Sequence, residues 1–189
     1  VTNGYITEVG LDLIGPVIDV WRVDVKGFDD RTYRRFCHAR SVRPVLAAAE
    51  RARTRWGMHV EVVTNVVPTV NDDDETLSGI AGWMVAALGP DTPWHVTRFF
   101  PYLELAHLAA TPIETLERAR ELGHDAGLRY VFIGNARVTG GEDTVCPTCG
   151  AVAIRRSGYR IVRRAVRAGA CAACGTPLRA FSMGMVTIC

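Results

Sequence analysis

Four of the six cysteines fall into two pairs of equal spacing, Cys146-Pro-Thr-Cys149-Gly and Cys171-Ala-Ala-Cys174-Gly. Thiolates bind borderline and soft divalent metals, and a Cys-x2-Cys turn brings two sulfurs to one side while the following glycine lets the backbone fold around them. Two such knuckles supply the four ligands of a tetrahedral site. The segment between them, around Arg155 to Val162, can form strands, so the pattern predicts a zinc-ribbon-like module ligated by Cys146, Cys149, Cys171 and Cys174. A rubredoxin-like iron site uses the same ligands, so the spacing identifies the ligand set before it identifies the metal. Cys37 and Cys189 stand at no ligand spacing and read as incidental.

A second group with chemical capacity lies near the start. Trp21-Arg22-Val23-Asp24-Val25-Lys26-Gly27 alternates, with Trp21, Val23 and Val25 on one side and Arg22, Asp24 and Lys26 on the other. Helical sequence follows, as in a β/α unit, whose parallel strands are ordinarily apolar on both faces. A polar row in that setting lines a cavity, and Asp24 and Lys26 fall at the strand's C-terminal end, where β/α sheets gather their chemistry. Lys26 is the only lysine in the chain.

The elements that must position these groups alternate along the chain. A helix is expected over Tyr5 to Ile14, a strand over Ile18 to Lys26, a short helix capped by Asp29 and Asp30, and an Ala/Arg-rich helix over Arg43 to Trp56. A strand over Met58 to Val67 follows. Asn71-Asp72-Asp73-Asp74-Glu75 then reads as a cap and favourable N-terminal charge for a helix over Leu77 to Leu88, in preference to a carboxylate metal site. The remaining expectations are a strand over Trp94 to Phe100, a helix with Thr111 as N-cap and Pro112 as its first residue, and a strand over Arg129 to Ile133. Four strands alternating with helices predict a parallel sheet. The five histidines (38, 59, 95, 107 and 124) show neither a metal spacing nor a pairing with a nucleophile, and each is read as structural or superficial.

After Gly150 there are seven arginines and no Asp or Glu, so the preceding part is net acidic although the whole chain carries only +2. That shift divides the chain at about residue 140, into 1–140 and 141–189. The longest apolar run, Gly79 to Leu88, is too short to cross a bilayer, and the expectation is a cytoplasmic protein without a membrane partner.

Taken together, Thr2-Asn3-Gly4-Tyr5-Ile6, Val23-Asp24-Val25-Lys26-Gly27-Phe28, Val66-Val67-Pro68 with Asn71-Asp72, Trp94-His95-Val96-Thr97-Arg98-Phe99 and Tyr130-Val131-Phe132-Ile133-Gly134-Asn135, with the trailing cysteine ribbon, follow the order and spacing of one family. The chain resembles the radical S-adenosylmethionine enzyme of the AmmeMemoRadiSam system, itself similar to pyruvate formate-lyase activating enzymes. The resemblance implies an α/β fold: a partial (β/α) radical SAM-type barrel lacking its N-terminal strands, followed by a small zinc ribbon. It also implies a 4Fe-4S cluster that cleaves S-adenosylmethionine to a 5'-deoxyadenosyl radical. By position, Thr2 and Asn3 would lie at the rim of the cofactor pocket, and Asp24 and Lys26 would contact the cofactor's methionyl end or the substrate.

The family's Cys-x3-Cys-x2-Cys cluster loop and Gly-Gly-Glu loop are not found in this sequence, so the cluster ligands are absent from the chain. The expectation is therefore a C-terminal part of such an enzyme, inactive alone, with the Ile18 to Lys26 strand as an unpaired edge. A protein substrate or partner of the radical enzyme is the implied partner. The competing reading is a zinc-ribbon module on an α/β scaffold that binds nucleic acid or protein through Arg155, Arg156, Arg160, Arg163 and Arg164. Because arginines beside a thiolate site also offset its charge, and no aromatic platform accompanies them beyond Tyr159, nucleic acid is not the expected partner.

Overall fold

A computed structural model describes residues 1–158 and 160–179. The first part alternates helix and strand: α1 (Glu8–Ile14), β1 (Val20–Asp24), α2 (Asp30–Phe36), α3 (Arg43–Thr54), β2 (His59–Val66), α4 (Asp74–Trp83), β3 (Trp94–Arg98), α5 (Ile113–Asp125) and β4 (Val131–Gly134). The four strands form one parallel sheet in the order β1-β2-β3-β4. Local chemistry places the helix starts: Asp29 accepts the Thr32 N–H at 2.8 Å to begin α2, and Asp73 does the same for Thr76 at 2.8 Å to begin α4. The acidic run before α4 is accordingly a cap, with Asp72 accepting the Thr69 N–H and Asp74 paired to Arg118 on α5.

Thr111 departs from the N-cap role expected of it. Its hydroxyl donates to the Val66 carbonyl at 2.6 Å and accepts the Phe99 N–H at 2.8 Å, and α5 starts after Pro112 without a side-chain cap. A fully buried hydroxyl that joins two strand ends satisfies groups that water cannot reach, whereas the helix start can be solvated.

The helices lie on one face of the sheet. Trp21, Val23, Val60, Val62, Val66, Trp94, Val96, Val131 and Ile133 form a single buried cluster with Leu11, Val45, Ala49, Leu77, Ile80, Met84, Leu116 and Ala119. Gly4 fits beneath this layer because a Cβ there would stand 2.7 Å from both Val23 Cγ2 and Val45 Cγ1, and its φ of +74° also favours glycine. The edge of β1 is not bare as expected: the Thr2 N–H donates to the Arg22 carbonyl, and Thr2 O accepts the Asp24 N–H, each at 2.9 Å.

After β4 the chain forms an antiparallel sheet, β5 (Thr144–Val145), β6 (Val152–Ser157) and β7 (Arg160–Arg164), and a two-stranded pair, β8 (Val166–Arg167) and β9 (Ala170–Cys171). Cys146, Ala153, Cys171 and Leu178 make a small core separate from that of the sheet. Among the described residues, no helix is long and apolar enough to cross a membrane.

Candidate functional site

Strand register fixes what the helix-free face of the parallel sheet presents. Arg22 lies opposite Glu61, Asp24 opposite Val63, Val63 opposite His95, Asn65 opposite Thr97, and His95 opposite Phe132. Each of these positions alternates with a core residue, so the same pleat that buries Val23, Val62 and Val96 turns a polar row outward.

The C-terminal half of the row is the more open one. Lys26 Nζ lies 3.2 Å from Asp24 Oδ2, and the two side chains are 43% and 30% exposed, available to a ligand. Their backbone is fixed from below. The Lys26 N–H donates to the Tyr33 hydroxyl at 3.2 Å, and burial pushes that phenol up to about 12. Asn71 is 2% exposed, donates to the carbonyls of Lys26 and Asn65 at 3.0 Å each, and accepts the Val67 N–H. One amide thereby ties the ends of β1 and β2 together, and Asn65 Nδ2 continues the link to Thr97 and the Arg98 carbonyl on β3.

The N-terminal half holds a compact charged cluster. Glu61 Oε2 lies 3.1 Å from His95 Nε2 and 3.8 Å from Arg22 Nε, and its other oxygen lies 3.4 Å from His59 Nε2. Burial acts to raise the Glu61 carboxyl, but hydrogen bonds to His59 and His95 outweigh it and hold the group well below the usual carboxylate range. His95 stacks on Phe132 with centroids 5.2 Å apart, and the Arg156 guanidinium, from β6, sits 5.8 Å from the Phe132 ring. The ribbon thus reaches onto the sheet. With arginines beside it, this cluster favours an anchored carboxylate over a divalent cation.

His59 and His95, read from sequence as unconnected, converge on one carboxylate. The alternation of His59 with Glu61 on β2 was visible; the neighbouring contribution of His95 required the strand order. Thr2 and Asn3 lie beside β1, where Thr2 Oγ1 accepts the Gly4 N–H and Asn3 Oδ1 accepts the Tyr5 N–H. Cys37 lies half-buried against the core; Cys189 and Tyr159 lie outside the described residues.

The four ribbon cysteines converge. Their sulfurs all lie within 4.8 Å of one another, with Cys146 to Cys174 at 3.6 Å and Cys149 to Cys171 at 3.8 Å. A tetrahedral ion with metal–sulfur bonds of about 2.3 Å requires sulfurs roughly 3.8 Å apart, so the set fits zinc or iron. The two knuckles repeat one backbone pattern: Gly150 N–H to Cys146 O and Gly175 N–H to Cys171 O, with both glycines at positive φ. The Thr176 hydroxyl, 3.2 Å from Cys174 Sγ, helps bring that thiol down to about 6. A four-thiolate site has no open position and acts as a structural clasp.

No protein-family profile matches the chain. An uncharacterized protein of Methanocaldococcus jannaschii is 39% identical over 177 residues, covering 93% of this chain and 52% of that protein, so the chain spans about half the length of the relative. Among solved structures, a domain of a pyruvate-formate lyase-activating enzyme from Bacteroides vulgatus is similar with a TM-score of 0.59 and 16% identity, over 71% of this chain and 79% of that one. A radical SAM methyltransferase from Sphaerobacter thermophilus aligns at a TM-score of 0.49, too low to add weight, with 16% identity over 62% of this chain and 34% of its own. The likeness to the activating-enzyme domain is one of fold, a parallel β/α sheet, here followed by a four-cysteine module.

Proposed function

We propose that this chain is the C-terminal part of a radical S-adenosylmethionine enzyme, of the kind found in the AmmeMemoRadiSam system. It contributes strands that line the cofactor and substrate cavity, with a structural zinc ribbon behind them. The observation that carries this reading is the polar row on the helix-free face, which places Asp24 and Lys26 together at the C-terminal end of β1. The fold likeness to an activating-enzyme domain and the twofold length of the relative agree with it. So does the stripe Val9, Leu13 and Val17, about four-fifths exposed on and just after α1, which further β/α units would cover.

In this reading Asp24 and Lys26 hold the polar end of S-adenosylmethionine or of the substrate, and Thr2 and Asn3 border the pocket. A carboxylate and an ammonium 3.2 Å apart can receive an amino acid zwitterion, each meeting the opposite charge. A 4Fe-4S cluster does not fit this chain's own residues, since the four clustered cysteines serve the ribbon and no Cys-x3-Cys-x2-Cys run occurs. Its ligands are assigned to the part of the enzyme outside this sequence, and any radical step belongs to the assembled protein.

The test is anaerobic reconstitution of the polypeptide together with the reading frame that precedes Val1. Formation of 5'-deoxyadenosine is expected, with S-adenosylmethionine bound roughly tenfold more weakly by Asp24→Asn and Lys26→Met at unchanged cluster content. An upstream frame without cluster ligands, or variants that bind as wild type, would overturn the reading.

A further inference from the structure

The ribbon presents a surface that its metal site does not explain. Among the described residues β7 is the outer strand of its sheet, and all five of its residues, Arg160, Ile161, Val162, Arg163 and Arg164, are exposed. Ile161 and Val162 are 51% and 55% exposed, an aliphatic pair flanked by arginines. Arg155 and Arg156 are engaged, by Asp143 and by Phe132 with the Glu142 carbonyl. Among the described residues, by contrast, no carboxylate lies within ion-pair distance of Arg160, Arg163 or Arg164.

Two ordinary explanations fall short. Compensation of the thiolates does not reach Arg160 at the hairpin tip, because the six residues of β6 carry it roughly 17–20 Å from the knuckles. That is about twice the screening length at physiological salt. Arg163 and Arg164, paired with Arg155 and Ile154, lie nearer to the knuckles. Protection of an edge strand from self-pairing needs one or two charges, and it is undermined by leaving two aliphatic side chains bare beside them.

We propose that β7 is a docking edge for an extended acidic segment of a partner protein, which adds as a further strand to the β5-β6-β7 sheet. The open edge offers main-chain hydrogen bonds, Ile161 and Val162 offer apolar contact on opposite faces, and the arginines select acidic neighbours. A peptide alternating acidic and aliphatic residues uses all three features. A nucleic acid strand would use only the charges, with no described aromatic platform to stack on. The proposal does not depend on the radical chemistry.

The test uses the full metal-loaded chain and fluorescence anisotropy with four probes. These are a labelled peptide of about eight alternating Glu and Val residues, its Lys/Val counterpart, the Glu/Val peptide N-methylated at alternate amides, and a labelled dT oligonucleotide of about twenty bases. The Glu/Val peptide is expected to bind, with roughly tenfold losses for the Lys/Val peptide, for the N-methylated peptide and for the Arg163→Glu, Arg164→Glu double variant. Circular dichroism and metal content should be unchanged in that variant. No binding of the Glu/Val peptide up to about 1 mM would overturn the proposal. Equal binding of the N-methylated form would reject strand addition, and tighter binding of the oligonucleotide would assign the surface to nucleic acid.

Discussion

His95 on β3 and Glu61 on β2 meet at 3.1 Å, across two strands whose directly paired residues are Val63 and His95. The contact is a diagonal one on the helix-free face, and His59 closes on the other carboxylate oxygen from Glu61's own strand. Because the Glu61 carboxyl is depressed in the folded protein, its charged form stabilises the fold. The contribution is complete above the ordinary value of 4.5 and fades as the pH falls below it. Glu61→Gln is therefore expected to cost about 1–2 kcal/mol in urea unfolding at pH 7, and the difference from wild type should shrink at pH 3.5. An unchanged difference at the two pH values would mean that the charge of Glu61 has no part in it.

Asn71 supplies three hydrogen bonds from one buried side chain. Asn71→Ala strands two carbonyls and one N–H at the ends of β1 and β2, and a loss of about 2–3 kcal/mol is expected in chemical denaturation. Asn71→Asp should be no better, since a carboxylate cannot donate to the carbonyls of Lys26 and Asn65.

Removing the metal should separate the two parts of the chain. Metal analysis is expected to give one zinc or iron per chain. Cys171→Ser, or chelation, should abolish amide protection over residues 144–178, where among the described residues the core is a cluster of four buried side chains, two of them cysteines. Protection over 20–134 should survive, as measured by hydrogen exchange.

Gly4→Ala tests the packing beneath the sheet. The added methyl meets Val23 and Val45 at 2.7 Å in a left-handed backbone conformation, so a cost of about 1–3 kcal/mol is expected. Thermal unfolding of the pair of proteins decides it.

The order of strands and helices was legible because periodicity and Asp caps agreed locally: β2 was expected over Met58 to Val67 and runs His59–Val66. The four cysteine ligands were legible because a metal needs them at fixed spacing. What remained hidden depended on register. Nothing local to His95 announces Glu61 34 residues earlier, and Thr111 looked like a helix cap until Val66 and Phe99 were brought beside it. Arg156 was read as one member of a basic run; only the folded hairpin sets it against Phe132.

The one-sided placement of the helices gives each strand a parity. In β2, residues of even number hold the protein together and residues of odd number meet whatever approaches it. A drift of sequence by two positions can exchange one reactive group for another without touching the core. Deleting a single residue within His59–Val66 would do the reverse for the part of the strand on one side of the deletion, turning its polar positions toward the helices and its valines toward the helix-free face. The helix-free side of this sheet is thus free to diversify by substitution, but its strand lengths are closed to insertion and deletion.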